Sequence, residues 1–264
     1  MKKQLQTFLK YRFLLENLIS RDLKVKYRHS VLGLCWSILN PLLMMLIITA
    51  VFSTIFRFEV ENFSIYYLTG WLIFNFVSES TTAALQSIVN SATLIKKVYI
   101  PKYIFPLEKI LFSFVNMFFS MIAVAIMIAV ACLMGNMQLS WTMLLFPVPM
   151  LYALVFCIGF GMLIAAINVF FRDMGHLYSV CVTAWMYLTP IIYPMEALDR
   201  AQWVLPIIKC NPLYYYVTYF RDVVMYNTVP GPADNLICIG FSLAFLLLGG
   251  WVFKRTQDRF ILHI

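Results

Sequence analysis

The 264-residue chain is 62% hydrophobic and only 12% charged, with a net charge of +8. A soluble domain carries about 25% charged residues, so the composition excludes a soluble globular protein and indicates one that crosses a membrane several times. The positive charge favours anionic lipid headgroups or an anionic lipid substrate, whereas nucleic acid is a poor partner for so apolar a chain. The N-terminus lacks the short apolar core and the cleavage site of a secretory signal.

Residues 1–30 predict an amphipathic helix on the membrane surface. At about 100° per residue, Leu5, Leu15 and Leu18 share one face, while lysines crowd the other. The stretch "RDLKVKYRHS" then brings four cations close together, which act either as a positive-inside anchor or as a site for an anionic lipid headgroup. These cations are Arg21, Lys24, Lys26 and Arg28.

Six apolar runs are long enough, or nearly so, to cross a membrane, which takes about 20 helical residues. They are 31–56, 65–89, 110–134, 141–171, 177–193 and 236–253. Glu79 in the second run predicts a side chain that faces the bundle interior or a wet cavity, unless it lies near the membrane edge. We predict an all-α polytopic membrane protein with one membrane domain, 1–264.

Sixteen of the 20 Lys and Arg residues lie in the terminal segments and in the second and fourth links between runs. Because cytoplasmic segments carry this excess, we expect both termini in the cytoplasm. On the outer side, segment 194–234 is apolar but broken by prolines. It predicts two short re-entrant helices, and the alternative is a loop on the membrane surface.

The link "TLIKKVYIPKYIFPLEK", residues 93–109, carries four lysines and predicts a short helix within 91–105. A plain anchor needs lysines but no amphipathic turn, so the pattern favours docking into a groove on another protein. The predicted docking residues are Leu94, Ile95, Lys96, Lys97, Val98, Tyr99, Pro101 and Lys102.

The sequence contains no GxxxxGK[ST], HExxH or GxSxG motif, and its six cysteines have no metal-ligand spacing. We therefore expect a chain that is not an enzyme and has no cofactor or metal of its own, so that energy would enter from a separate subunit. Two aromatic clusters, "YYLTGWLIFNF" and "AWMYLTPIIYP", predict a glycan channel, with ordinary helix packing as the alternative. The predicted lining residues are Tyr66, Tyr67, Trp71, Phe74, Glu79, Trp185 and Tyr187.

Four blocks of the sequence resemble the type-2 ABC exporter permeases that move polysaccharides. "RDLKVKYRHSVLGLCWSILNPLL" resembles their N-terminal signature, and "NSATLIKKVYIPKYIFPL" resembles their coupling helix. "FFRDMGHLYSV" with "LTPIIYP" is similar to their fourth-to-fifth-span region, and "NPLYYYVTYFRD" to their re-entrant outer segment. The blocks follow the family order across most of 21–222, and O-antigen, capsule and teichoic-acid exporters share them.

This resemblance implies a homodimer in the bacterial inner membrane, paired with two ATP-binding subunits that hold ATP and Mg²⁺. The channel would form between the permeases, the coupling helix around 94–99 would sit in a cleft on the ATPase, and the short outer helices would help close the exit. The implied substrate is a lipid-linked glycan on undecaprenyl diphosphate. That Arg21, Lys24, Lys26 and Arg28 meet the diphosphate is our inference from their charge.

Three alternatives remain at this point. A type-2 permease for a drug or a small lipid would share the topology, but we would expect it to lack the aromatic density and the four blocks. A secondary transporter would show internal repeats and several intramembrane charges. A membrane enzyme acting on lipid-linked glycans would need paired acidic or histidine residues at the headgroup level.

Overall fold

The computed structural model describes residues 2–28, 32–54, 60, 62–195 and 202–264, and all regular secondary structure within these ranges is helical. The α-helices are α1 (Lys2–Tyr27), α2 (Trp36–Thr54), α3 (Phe63–Asn90), α4 (Ala92–Lys97), α5 (Ile104–Leu133), α6 (Pro147–Phe170), α7 (Met174–Tyr187), α8 (Leu205–Lys209), α9 (Pro212–Val224) and α10 (Pro232–Thr256). Short 3-10 helices lie at Gly33–Cys35, Trp141–Leu145, Gln202–Val204 and Gln257–Leu262. The predicted all-α fold is confirmed for the described residues.

Four segments of the described chain are long and apolar enough to cross a membrane, and they fall on the first, third, fourth and sixth predicted runs. They are Gly33–Phe52, Ile104–Leu133, Trp141–Phe170 and Pro232–Leu262. The second predicted run corresponds to α3, which carries Glu79 and several hydroxyl side chains. The fifth overlaps α7, whose 14 residues fall short of the roughly 20 that a spanning helix needs.

The core of the bundle is built around α3. Its residues Tyr67, Ile73 and Phe76 are buried and belong to the largest apolar cluster, to which α5, α6 and α9 also contribute. Helices α6 and α10 approach each other closely at Gly159 and Gly249. A Cβ atom built on Gly249 would lie 2.6 Å from the carbonyl carbon of Gly159, so only glycine allows this backbone contact.

The predicted N-terminal helix is present as α1, and it packs along the beginning of α5. Leu15 is buried against Ile104 and Leu107. About two turns further on, Asp22 forms an ion pair with Lys109. Both apolar packing and a charge pair therefore attach α1 to the bundle.

The proline-broken segment after α7 contains the helices α8 and α9. Tyr216, Val217 and Phe220 of α9 are fully buried in the apolar core. The Asn211 side chain caps this helix, accepting a hydrogen bond from the Leu213 backbone N–H at 3.0 Å. Helix α9 is thus part of the core and not a loop on the surface.

Candidate functional site

One end of the bundle gathers positive charge, and we call it the basic end. It comprises α4, the first turn of α5, the last turns of α6 and α10, and the segment that follows α10. Ile95 of α4 and Phe253 of α10 meet there in one apolar cluster with Phe260. The basic residues of this end are Lys96, Lys97, Lys102, Lys254, Arg255 and Arg259.

Helix α4 is a single short helix whose two sides differ. It begins directly after α3, and the backbone N–H groups of Leu94 and Ile95 both donate to the carbonyl oxygen of Ser91 at 3.0 Å. Ile95 is buried, and Leu94 packs against the same apolar cluster. The structure therefore directs two of the predicted docking residues into the protein.

The outward side of α4 and the residues after it are open. Lys96 and Lys97 are exposed, Val98 is 49% exposed and Tyr99 is 94% exposed. Pro101 is half-buried. An almost fully exposed tyrosine beside two lysines forms a surface with both apolar and cationic character.

Lys102 is half-buried, unlike the exposed Lys96 and Lys97, and its ammonium group is hydrogen-bonded within the chain. Its Nζ donates to the carbonyl oxygen of Gln257 at 2.5 Å. The same Nζ lies 5.8 Å from the centre of the Phe260 ring. Lys102 therefore joins the α4–α5 link to the segment after α10.

The four predicted headgroup cations divide into two groups. Arg21, Lys24 and Arg28 line an open groove along one face of α1, together with Asn17 and Ser20. We call this feature the cationic groove. Spacings of three and four residues place these side chains on one face of the helix. The fourth cation, Lys26, follows Lys24 by two residues and so points to the opposite side, toward the bundle.

Lys26 belongs to a chain of polar contacts that connects α1, α2, α3 and α5. Its Nζ lies 2.8 Å from Glu79 Oε1, and the Asn116 amide donates to Glu79 Oε2 at 3.3 Å. Ser37 Oγ donates to Asn116 Oδ1 at 2.9 Å, and Ser120 Oγ donates to the carbonyl oxygen of Ser37 at 3.0 Å. The acidic residue within the second predicted run is therefore paired with a cation and faces α1 and α5.

A second charge cluster attaches α1 to α5, one helical turn before Lys26. Asp22 accepts hydrogen bonds from Lys109 and from Arg21, whose Nη2 lies 2.8 Å away. Burial would raise the pKa of the Asp22 carboxyl, but the hydrogen bonds from Lys109 and Arg21 outweigh it and hold this pKa below its ordinary value. Asp22 is thus ionised at neutral pH, and the pair with Lys109 ties α1 to α5.

The predicted channel-lining aromatics do not share one exposed surface within the chain. Tyr66, Tyr67 and Phe74 are buried in the core. Trp185 is half-buried, and its indole N–H donates to Asn211 Oδ1 at 2.7 Å. Tyr187 is 64% exposed, and Trp71, stacked on the Tyr67 ring, is half-buried.

The structure adds one residue that was not singled out in the sequence. Arg221 of α9 is only 4% exposed, and its guanidinium carbon lies 3.5 Å from the centre of the Tyr66 ring. It donates to the carbonyl oxygens of Pro190 at 2.7 Å, Tyr66 at 3.1 Å and Ile191 at 3.2 Å. Gly70 leaves room for it, since a Cβ there would lie 2.7 Å from Arg221 Nη2. Arg221 thereby holds together α3, α9 and the turn after α7.

Several proteins are similar to this chain over nearly its whole length. The O-antigen export system permease protein RfbA of Myxococcus xanthus is 28% identical over 250 residues, which cover 95% of this chain and 95% of that protein. A protein of the same name from Klebsiella pneumoniae is 27% identical over 248 residues, 94% of this chain and 93% of that protein. The polysialic acid transport protein KpsM of Escherichia coli is 20% identical over 259 residues, 93% and 94% of the two chains.

The family described as "ABC-2 type transporter" matches residues 14–225. This range includes α4 with its exposed basic side, most of α1 with the cationic groove, and the buried helix α9. All described regular structure is helical, and four segments are long and apolar enough to cross a membrane. The chain therefore belongs to the ABC-2 type transporter family of membrane proteins.

Proposed function

We propose that this protein is the permease subunit of an ATP-driven exporter that moves a lipid-linked polysaccharide across the bacterial inner membrane. The cargo is an O-antigen-like glycan on undecaprenyl diphosphate. The observation that carries the proposal is the end-to-end similarity to relatives named as O-antigen export permeases. KpsM, whose name concerns polysialic acid transport, supports the broader class of polysaccharide cargo.

The proposed topology has six spans, with the basic end in the cytoplasm. The 28 residues of α3 extend over about 42 Å, which is ample for the second span. The fifth span is formed by α7 and the turn 188–193, in which Thr189, Pro190 and Ile191 are buried. Irregular backbone at membrane depth must be surrounded by protein, and the contacts of Arg221 with this turn supply that surrounding.

The proposed partners are a second copy of the chain and two ATP-binding subunits, which carry ATP and Mg²⁺. We assign the docking surface to Lys96, Lys97, Val98 and Tyr99, because these side chains are exposed while Leu94 and Ile95 are turned inward. An apolar, cationic helix end of this kind suits an acidic groove on the partner.

We propose that the cationic groove of α1 receives the diphosphate of the lipid carrier. Arg21, Lys24 and Arg28 line it, and guanidinium and ammonium groups bind phosphate oxygens strongly. Lys26 is left out of this set because it points toward the bundle and pairs there with Glu79, whereas Arg21 lines the groove although it also donates to Asp22. For the channel between two copies, Tyr187 and the half-buried Trp71 and Trp185 are the accessible members of the predicted lining.

The proposed function can be tested in cells that lack this gene. The glycan is detected with a lectin or an antibody on intact cells and again after permeabilisation. Without the protein we expect signal only after permeabilisation, and the unaltered chain should restore surface signal. The double variant Lys96→Glu with Lys97→Glu should insert normally but fail to export or to retain the ATP-binding subunit. Normal surface glycan in the deletion strain, with altered drug sensitivity, would instead favour the drug or small-lipid permease.

The groove can be tested separately with a matched control on the same helix. The triple variant Arg21→Ala, Lys24→Ala and Arg28→Ala should trap the lipid-linked glycan inside. Arg12→Ala removes one cation outside the groove, where Arg12 pairs with Glu16 on the exposed surface, and should export normally. Normal export by both variants would indicate that the groove cations serve only as a membrane anchor.

A further inference from the structure

The segment after α10 and the inner side of α4 contribute to the same apolar cluster. Within the 3-10 helix Gln257–Leu262, Phe260 is fully buried. Its ring centre lies 5.3 Å from that of Phe253 and 5.9 Å from that of Phe170. Ile95 of α4 belongs to the same buried cluster. One aromatic side chain from this segment thus lies in the cluster that buries the inner side of the proposed docking helix.

Lys102 makes a polar connection between the same two segments. Its Nζ donates to the carbonyl oxygen of Gln257, and Gln257 is the C-cap residue of α10. The last carbonyl oxygens of a helix have no partner within the helix and carry partial negative charge, so a cation there is favourable. Because Lys102 also lies over the Phe260 ring, the α4–α5 link is held by both contacts.

Helix α4 depends on such support because it is only six residues long. A helix this short is not stable by itself in water, and its stability has to come from packing of one face. That face is supplied by Ile95 and Leu94, which contact the cluster containing Phe260. The opposite face remains exposed for a partner.

We infer that the segment Gln257–Leu262 is a positioning element for α4, with Phe260 and Lys102 as its positioning residues. They hold the exposed lysines and Tyr99 in the orientation that the ATP-binding subunit meets, an inference that rests on the proposed function. The buried cluster also contains Ile88 of α3, Phe105 of α5 and Val169 of α6. Helix α4 therefore packs in one cluster with the ends of α3, α5, α6 and α10.

Hydrogen exchange on the purified full-length protein in lipid nanodiscs tests the positioning role without any partner. The amides of Leu94, Ile95 and Val98 report on α4, because all three are hydrogen-bonded within it or to its first cap. In Phe260→Ala we expect their exchange to accelerate on the order of tenfold, equivalent to about 1.4 kcal/mol of lost local protection. Leu262→Ala, at a side chain that is 81% exposed, should leave it unchanged. Unchanged exchange in Phe260→Ala would overturn the inference.

The same variants separate positioning from simple stability in the transporting complex. Phe260→Ala should retain the ATP-binding subunit and hydrolyse ATP, yet export less glycan per ATP, and Phe260→Leu should restore that ratio. Lys102→Met keeps the apolar stem but removes the hydrogen bond, and should lower the ratio without affecting insertion. A wild-type chain that binds no ATP-binding subunit contradicts the proposed function, whereas an unaltered ratio in both variants contradicts only the positioning role.

Discussion

The contact between α6 and α10 leads to a sharp prediction about two adjacent glycines. Gly249 is buried against Gly159, whereas Gly250 has open space around the position of a Cβ. Gly249→Ala should therefore destabilise the protein, and Gly250→Ala should not. The two variants add the same methyl group to the same helix, so they differ only in what that methyl group meets.

The structure sets the size of the difference. A Cβ on Gly249 would overlap the carbonyl oxygen of Gly159 and lie 2.6 Å from its carbonyl carbon, while carbon atoms in contact are about 3.5 Å apart, so the helices must separate by at least about 1 Å. Overpacking costs about 1–3 kcal/mol, and backbone atoms cannot relieve it by changing rotamer, which favours the upper value. Replacing glycine by alanine in a helix contributes about 1 kcal/mol of stability. The expected balance is a loss of about 2 kcal/mol for Gly249→Ala and a gain of up to about 1 kcal/mol for Gly250→Ala.

Thermal unfolding followed by intrinsic fluorescence in nanodiscs measures this difference. At about 2–4 °C per kcal/mol for a protein of this size, Gly249→Ala should lower Tm by about 4–8 °C. Gly250→Ala should leave Tm unchanged or raise it slightly. Equal Tm values for the two variants, or a lower Tm for Gly250→Ala, would show that α6 and α10 do not meet at these glycines.

Three further predictions concern the charge pairs and the topology. Lys26→Glu should lower the stability by about 1–2 kcal/mol, because it places two carboxylates together. The double variant Lys26→Glu with Glu79→Lys should restore Tm, and a Tm that stays low in the double variant would argue against the ion pair. Arg221→Met should cost about 3 kcal/mol or more, because three carbonyl oxygens lose their donor, and Arg221→Lys should recover only part of it by thermal unfolding. Exposed Cys210 should react with a membrane-impermeant thiol reagent from outside the cell, whereas buried Cys157 should stay unlabelled; labelling of Cys210 only from the cytoplasm would overturn the topology.

Hydropathy predicted the four helices that contain a long apolar stretch, namely α2, α5, α6 and α10. It did so because a long apolar helix is stable at membrane depth regardless of its neighbours. It could not assign the meeting point of α6 and α10, since a glycine in a sequence does not reveal which backbone approaches it. The fifth run is the shortest of the six and contains Pro190, which indicates a short helix, but the sequence does not reveal that Arg221 from a distant helix stabilises the turn after it.

For the candidate site, the sequence identified unusual residues but not their partners. Glu79 was recognised as a costly charge, yet its partner Lys26 lies 53 residues away and was assigned to the headgroup cations. The two-residue spacing from Lys24 was the signal that could have separated them, because it places Lys26 on the other side of α1. Aromatic density likewise could not distinguish buried Tyr66 from exposed Tyr187, since tyrosine suits both a core and a channel.

The central claim is that this permease works with a separate ATP-binding subunit to export a lipid-linked glycan. The most direct measurement is purification of the tagged protein from native membranes, with mass spectrometry and quantification of the recovered subunits. We predict an ATP-binding subunit at matched stoichiometry, which Lys96→Glu with Lys97→Glu removes. A chain that purifies reproducibly alone, and transports its substrate alone after reconstitution, would contradict the claim and favour a secondary transporter.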